Sequence, residues 1–259
     1  MTCNTASTRL RFVISALRQS WFIAIRSATA IWCAALIGCH GHQTYNVLAS
    51  VLEVTGSVSL LHEGGKTSLS PASRVAAGDR IKTEEGGAAA ISLIPGMFIE
   101  TQTRTTFTIT ELRLSKDGDE TADPMKGRSA ELTLDEGKIR AFLPKRANGR
   151  CRLRIRTDSG TLEAKRDSVF SLQRNGDSSR IVCVHGKILF RARAGDWAMT
   201  IAAQQYVDTT PDGKAVGAPR ATANDNGAEE EMEATIGAAG SLEQLERELR
   251  NRPAPWRKR

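Results

Sequence analysis

Residues 75–100 read VAAGDRIKTEEGGAAAISLIPGMFIE, a series of short apolar runs broken at Gly and Pro. Ile81, Ala88 to Leu93 and Met97 to Ile99 are each too short for a globular helix, and the breaks between them are turn residues, so each run reads as a strand. Gly admits positive φ and Asp can bond its own backbone, which makes Ala77-Gly78-Asp79 a turn device. The same triplet returns at Ala194-Gly195-Asp196. Upstream, Leu52, Val54, Val58 and Leu60 alternate with polar neighbours up to Gly64-Gly65; downstream, Phe107 to Leu114 follows at a similar spacing. Gly-x-Val/Ile recurs at Gly56, Gly137 and Gly186.

Residues 115–129 (SKDGDETADPMKGRS) are polar and read as a loop that could subdivide the domain. Strand-like runs resume at 131–142, 150–156, 161–164, 169–173, 181–190 and 198–207. The expected architecture is all-β, a sandwich or barrel of short antiparallel strands over residues 48–215. From residue 216 the chain is poor in apolar residues, acidic at Glu229 to Glu233 and basic at its end, and reads as mostly disordered. Within that tail, Leu242, Leu245 and Leu249 form one helical stripe, with Ser241 and Gln244 in a capping-box pattern and Pro253 as the stop. A short helix is therefore expected at 241–250.

The first forty residues carry a different signal. Residues 1–26 hold Arg9, Arg11, Arg18 and Arg26 and no acid, and 27–38 (SATAIWCAALIG) are apolar and uncharged. This is the layout of a secretory signal, and the apolar run falls short of the roughly 20 residues that span a bilayer. Leu36-Ile37-Gly38-Cys39 resembles the lipobox of bacterial lipoproteins. That resemblance implies cleavage after residue 38 and acylation of Cys39, with 39–47 as a linker; two or more acyl chains give lasting attachment. His40 and His42 lie beside Cys39, but lipidation would consume the thiolate a metal needs, so no metal site is expected there.

Loss of residues 1–38 removes four arginines and lowers the formal charge from +7 to +3. What remains is uneven, since residues 138–195 contain 15 basic and 4 acidic side chains. The same loss leaves Cys151 and Cys183 besides the anchor. Both fall in strand-like runs of an exported chain, which allows either a cross-strand disulfide or two buried free thiols.

The strongest local feature of the basic block is RCRLRIR. In a strand, Arg150, Arg152, Arg154 and Arg156 share one face, and Cys151, Leu153 and Ile155 share the other. Four guanidinium groups in a row need anions opposite them. Glutamates on neighbouring strands or the acidic tail would make this a balanced, solvated face, the reading the sequence favours. The sharper alternative is a site for phosphate or carboxylate polymers at the envelope. Nucleic acid fits poorly, because no aromatic residue interleaves to stack bases.

VLEVTGSVSL, residues 75–100, LTLDEGKIRAFL, IRTDSGTLEA with SVFSL, and VCVHGKILF together resemble the FecR domain, a periplasmic module named for regulators of ferric citrate signalling. Gly56-Ser57-Val58, Gly78-Asp79, Thr83, Ala88 to Leu93 and Gly96 fill the places of the family pattern, and the likeness covers about residues 48–213. Pro95 stands where the family has Asp. Pro lacks a ladder donor and so belongs in a turn or at an edge. The resemblance implies the extracytoplasmic β-module without the regulators' cytoplasmic anti-sigma segment, for which 26 residues of leader leave no room.

Catalytic chemistry finds little to work with. His62 and His185 have no accompanying motif, Ser159 and Ser168 lack a nucleophile elbow, and no glycine loop opens a helix. The carboxylates are scattered, and no cofactor is implied. The expected protein is a non-enzymatic, periplasm-facing envelope lipoprotein that binds or scaffolds. Its partners would be the membrane, through the anchor, and an envelope protein or anionic polymer, with no nucleic acid. The alternative is a signalling relay acting on a membrane partner.

Overall fold

The computed structural model describes residues 42–62, 65–117, 126–145, 149–193, 197–210 and 217–251. The proposed signal, Cys39 and the Asp196 turn lie outside the described residues.

Strands β1 (His42–Asn46), β2 (Ala49–Thr55), β3 (Val58–His62), β4 (Gly65–Ser68), β5 (Arg74–Val75), β6 (Arg80–Thr83), β7 (Ala88–Ile94), β8 (Met97–Thr101) and β9 (Thr106–Asp117) form the first half. The longest strand, β10 (Gly127–Leu143), leads to β11 (Arg150–Arg156), β12 (Gly160–Lys165), β13 (Ser168–Asn175) and β14 (Ser178–His185). Next come β15 (Lys187–Ala192), β16 (Ala198–Ala202), β17 (Gln205–Thr209), β18 (Arg220–Ala221) and one α-helix, α1 (Asn226–Asn251). The all-β expectation holds. The loop expected at 115–129 is shorter than that, because β9 extends to Asp117 and β10 starts at Gly127.

The pairings resolve into two sheets. Sheet I runs β4-β3-β6-β9-β10-β11-β12-β15-β16. Sheet II runs β5-β2-β7-β8-β10-β13-β14-β17-β18. Strand β10 belongs to both, since residues 127–136 pair in sheet I and 137–143 in sheet II. The same bend joins β2 to β3, β6 to β7, β8 to β9, β12 to β13, β14 to β15 and β16 to β17. The chain is thus a meander of long strands, each folded over a corner from one sheet to the other.

Every corner needs a sharp reversal of pleat, and the backbone supplies it with one left-handed residue apiece: Gly56, Gly86, Arg104, Gly137, Asp167, Gly186 and Gln204. Two of them show why glycine is required. A Cβ on Gly137 would sit 2.4 Å from Thr105 Oγ1 and 2.5 Å from Thr105 Cα, and one on Gly186 would sit 2.2 Å from the Asp167 carbonyl oxygen. The recurrent Gly-x-Val/Ile of the sequence is therefore a corner followed by the first inward side chain of the next sheet: Val58, Ile139 and Ile188 are each at most 2% exposed. Pro95 lies in the β7–β8 turn, where no ladder donor is needed.

Strand β11 breaks the meander. It is parallel to β10, inserted in sheet I alone between β10 and β12. Its Cys151, Leu153 and Ile155 join the single large core between the sheets, with Leu132, Leu134, Phe107 and Phe170. Burying each such large side chain contributes roughly 1.5–3 kcal/mol.

The outer face of sheet II is covered by α1. Ala228 and Met232 pack on Val182 and Tyr206, while Leu242 and Leu245 pack on Ala90, Phe98, Leu52 and Phe142. The helix begins at Asn226 rather than at Ser241, so most of the stretch expected to be disordered is helical. Its cap is Asp225, whose Oδ1 accepts from Ala228 N–H at 2.8 Å. Ser241 is interior and donates back to the Gly237 carbonyl, and Gln244 bonds Glu248 instead of closing a capping box. The reason is tertiary. A segment with Gly237 and Gly240 in mid-helix has weak intrinsic helicity, but docking of its apolar and ionic side chains on sheet II outweighs that cost.

Candidate functional site

With sheet II covered, the outer face of sheet I around β11 is where polar chemistry is concentrated. The alternation of β11 holds residue by residue: Arg150, Arg152 and Arg156 are exposed, Arg154 is half-buried, and the residues between them are buried. The register then sets what each guanidinium meets. Arg154 lies between Glu131 of β10 and Glu163 of β12. It bonds Glu131 at 2.9 Å and reaches Glu163 at 3.8 Å. Glu163 also takes Arg152 at 3.2 Å, and Glu131 takes Arg156 at 2.5 Å. Two neighbouring-strand glutamates thus pair with three of the four arginines. Among the described residues, Arg150 meets no carboxylate.

Two carboxylates against four guanidiniums leave the stripe positive, and its surroundings add to this. Arg191 and Arg193 of the β15 end bring two more cations to a groove of about 580 Å³, which Arg154, Arg156, Asp158, Thr161 and Glu163 also line. Arg193 pairs with Asp158 at 3.6 Å, whereas Arg191 meets no carboxylate among the described residues. A second groove, of about 420 Å³, lies at the other end of the stripe with Arg113, Arg128, Arg150 and Arg152, against Glu111 and Glu131, and the two share Arg154. The contribution of β15 was missed by reading the sequence one strand at a time. The alternating Arg191-Ala-Arg193 was visible, but not its position two strands from β11.

The polar groups beneath α1 have another character. Glu231 is nearly buried, takes hydrogen bonds from Lys138 Nζ and from Arg140 Nε at 2.9 Å, and accepts from Thr235 Oγ1 at 3.1 Å. Burial pushes the Glu231 carboxyl up, but the bonds and charges of Arg140 and Lys138 outweigh it and hold the carboxyl below the usual glutamate range. This cluster fastens the helix and leaves no open site.

Cys151 and Cys183 are free and buried, on β11 of sheet I and β14 of sheet II. Of the two alternatives, the structure has the cysteines unbonded, each in the core between the sheets. Burial pushes Cys151 up to about 11, against the charge of Arg128, and Cys183 up to about 12, which removes the thiolate that reactivity requires. His62 bonds Asp79 at 2.5 Å, and the other oxygen of Asp79 accepts from Ala76 N–H, which ties the β5–β6 turn. His185 meets Asp167 at 3.2 Å across the Gly186 corner. Both histidines serve turns. Among the described residues no group of three or more His, Cys, Asp or Glu is arranged to hold a metal, and none of their helices is long and apolar enough to cross a membrane.

A search of curated proteins found no match. Two crystal structures of a candidate anti-sigma factor from Parabacteroides distasonis ATCC 8503 are similar over 55% of this chain, at 12% identity and TM-scores of 0.39 and 0.38. The match covers 59% of that protein's chain. The model of the family described as FecR protein matches residues 79–189. That span runs from the β5–β6 turn to β15 and takes in the corners from Gly86 to Gly186, although the bent-strand pattern continues on both sides of it. Residues 79–189 of this chain are thus similar to the FecR protein family.

Proposed function

We propose that this chain is a non-enzymatic lipoprotein of the cell envelope. Residues 1–38 export it, Cys39 anchors it, and its FecR-like β-domain faces the periplasm and binds or scaffolds through the outer face of sheet I. The observation that carries this reading is the charge imbalance there, with Glu131, Glu163 and Asp158 set against the four arginines of β11 and Arg191 and Arg193 at the end of β15. The uncompensated charges mark where an anionic partner would be held.

Two measurements test it. Cells grown with a fatty-acid probe should label the wild type and not Cys39→Ala; a labelled Cys39→Ala, or an unlabelled wild type, removes the anchor. The purified protein should bind soluble polyanions such as polyphosphate or polygalacturonate, more weakly as salt rises; absence of binding to either removes the anionic partner. The FecR match favours a second reading, a relay that passes a signal to a membrane partner. A sigma-factor gene beside this one would support the relay, and an envelope-assembly operon the scaffold.

A further inference from the structure

Which groups on the basic face are left to hold a ligand follows from the register. One row across sheet I reads Thr133 on β10, Arg156 on β11, Thr161 on β12 and Arg191 on β15. Arg156 and Arg191 are therefore separated by a single strand, roughly 10 Å between backbones, and both side chains rise over the short Thr161 into the larger groove. In the next row Arg154 is held between Glu131 and Glu163 and is committed to them. Arg156 shares only the Glu131 carboxylate, on the side away from β12. Arg191 is exposed and, among the described residues, unpaired.

The geometry points to the Arg156–Thr161–Arg191 row as a subsite for a phosphate group carried on a soluble polymer. The assignment deepens the proposed anion-binding role of sheet I and rests on it. Phosphate is favoured over carboxylate by donor count. One guanidinium satisfies the two oxygens of a carboxylate in a bidentate fork, whereas two forks and a hydroxyl converging from opposite sides match the several oxygens of a phosphoryl group. A polymer is favoured over a lipid surface because the donors lie along a groove with Asp158 and Glu163 among its lining residues. Those carboxylates would repel a flat anionic bilayer, while a strand of spaced phosphates can pass between them. The second groove, joined through Arg154, extends the track.

The test uses the purified protein with fluorescent polyphosphate, followed by anisotropy at fixed salt, with polygalacturonate and phosphatidylglycerol vesicles as parallel arms. A hydrogen-bonded charge contact of this kind corresponds to a loss of about tenfold or more in affinity, so Arg191→Ala should weaken polyphosphate binding by at least that factor. Thr161→Val, which keeps shape and removes the hydroxyl, should weaken it by a smaller but measurable factor. Arg150→Ala, in the second groove and outside the subsite, should weaken it by clearly less than Arg191→Ala. Arg191 has no ion pair to lose among the described residues, so unchanged thermal melting of its variant is the folding control. An equal loss in Arg150→Ala and Arg191→Ala overturns the subsite in favour of diffuse attraction. So does polygalacturonate binding as tight as polyphosphate, or binding to vesicles alone. Wild-type protein that binds none of the three overturns the parent reading as well, and wild-type binding that Arg191→Ala leaves intact overturns the subsite alone.

Discussion

Removing the Glu231 carboxylate should release α1 from sheet II while leaving the two-sheet core folded. In Glu231→Ala, Lys138 and Arg140 both lose their main partner. The side chains of Glu231, Arg140 and Lys138 are 9%, 14% and 23% exposed, so of the two cations water reaches Lys138 better than Arg140. Breaking a buried pair by removing one partner costs about 3–5 kcal/mol. Arg140 keeps Glu100 at 3.5 Å and Lys138 can turn to solvent, which brings the expected loss down to about 2–3 kcal/mol. That is comparable with what holds the helix, since its apolar anchors among the described side chains are few: Ala228, Met232, Leu242 and Leu245. Hydrogen exchange read peptide by peptide should show amides of 226–245 losing protection while β9, β10 and β12 keep theirs. Urea unfolding gives the energy. Protection of the helix unchanged in Glu231→Ala, or a loss below about 0.5 kcal/mol, would refute the view that this ionic cluster fastens the strap.

The same carboxylate gives the effect a pH signature. Arg140 and Lys138 hold the Glu231 carboxyl below the ordinary glutamate range in the folded protein, so the unfolded chain takes up its proton first as pH falls. Its contribution is therefore fully present above the ordinary glutamate range and is lost as pH falls through the lower, folded value. The stability gap between wild type and Glu231→Gln should be flat near neutrality and close only in acid.

Three further outcomes follow from the corners and the core. Gly137→Ala should prevent folding or cost more than about 4 kcal/mol by denaturant melting, because the new Cβ meets the Thr105 backbone at 2.5 Å and φ is +92. Gln204→Gly should stabilise the fold by about 0.5 kcal/mol, read from denaturant melting, because Gln204 occupies a left-handed corner at φ 62 with an exposed side chain, and relief of that strain exceeds the entropy cost of glycine. Cys151 and Cys183 should resist iodoacetamide in the native protein at mildly alkaline pH and react once it is unfolded, as mapped by mass spectrometry; labelling of either in the native state would contradict their burial.

How much of this was legible beforehand varies with the range of the interaction. Strands of period two, turns at Gly78-Asp79 and Pro95-Gly96, and the two faces of RCRLRIR are local, because alternation and φ preference act over a few residues. The FecR likeness was legible for the same reason, since it is an order of turn residues. The Gly-x-Val/Ile repeats were visible too, yet their meaning as corners between sheets was not. Three of the seven corners use Arg104, Asp167 or Gln204 and leave no glycine to read. Helix α1 was mostly missed, because Gly237 and Gly240 weaken it locally and only Lys138, Arg140, Val182 and Tyr206, far away in sequence, stabilise it.

By itself, then, the sequence determined the all-β class, the family pattern and the basic face of β11, all of them matters of residue type and short spacing. Tertiary structure alone decided that glutamates from β10 and β12 pair with three of its arginines, that Arg191 from β15 completes a groove beside it, and that α1 closes the opposite sheet. Each of these depends on register between strands distant in the chain, and pairing energy fixes that register only when the whole meander forms.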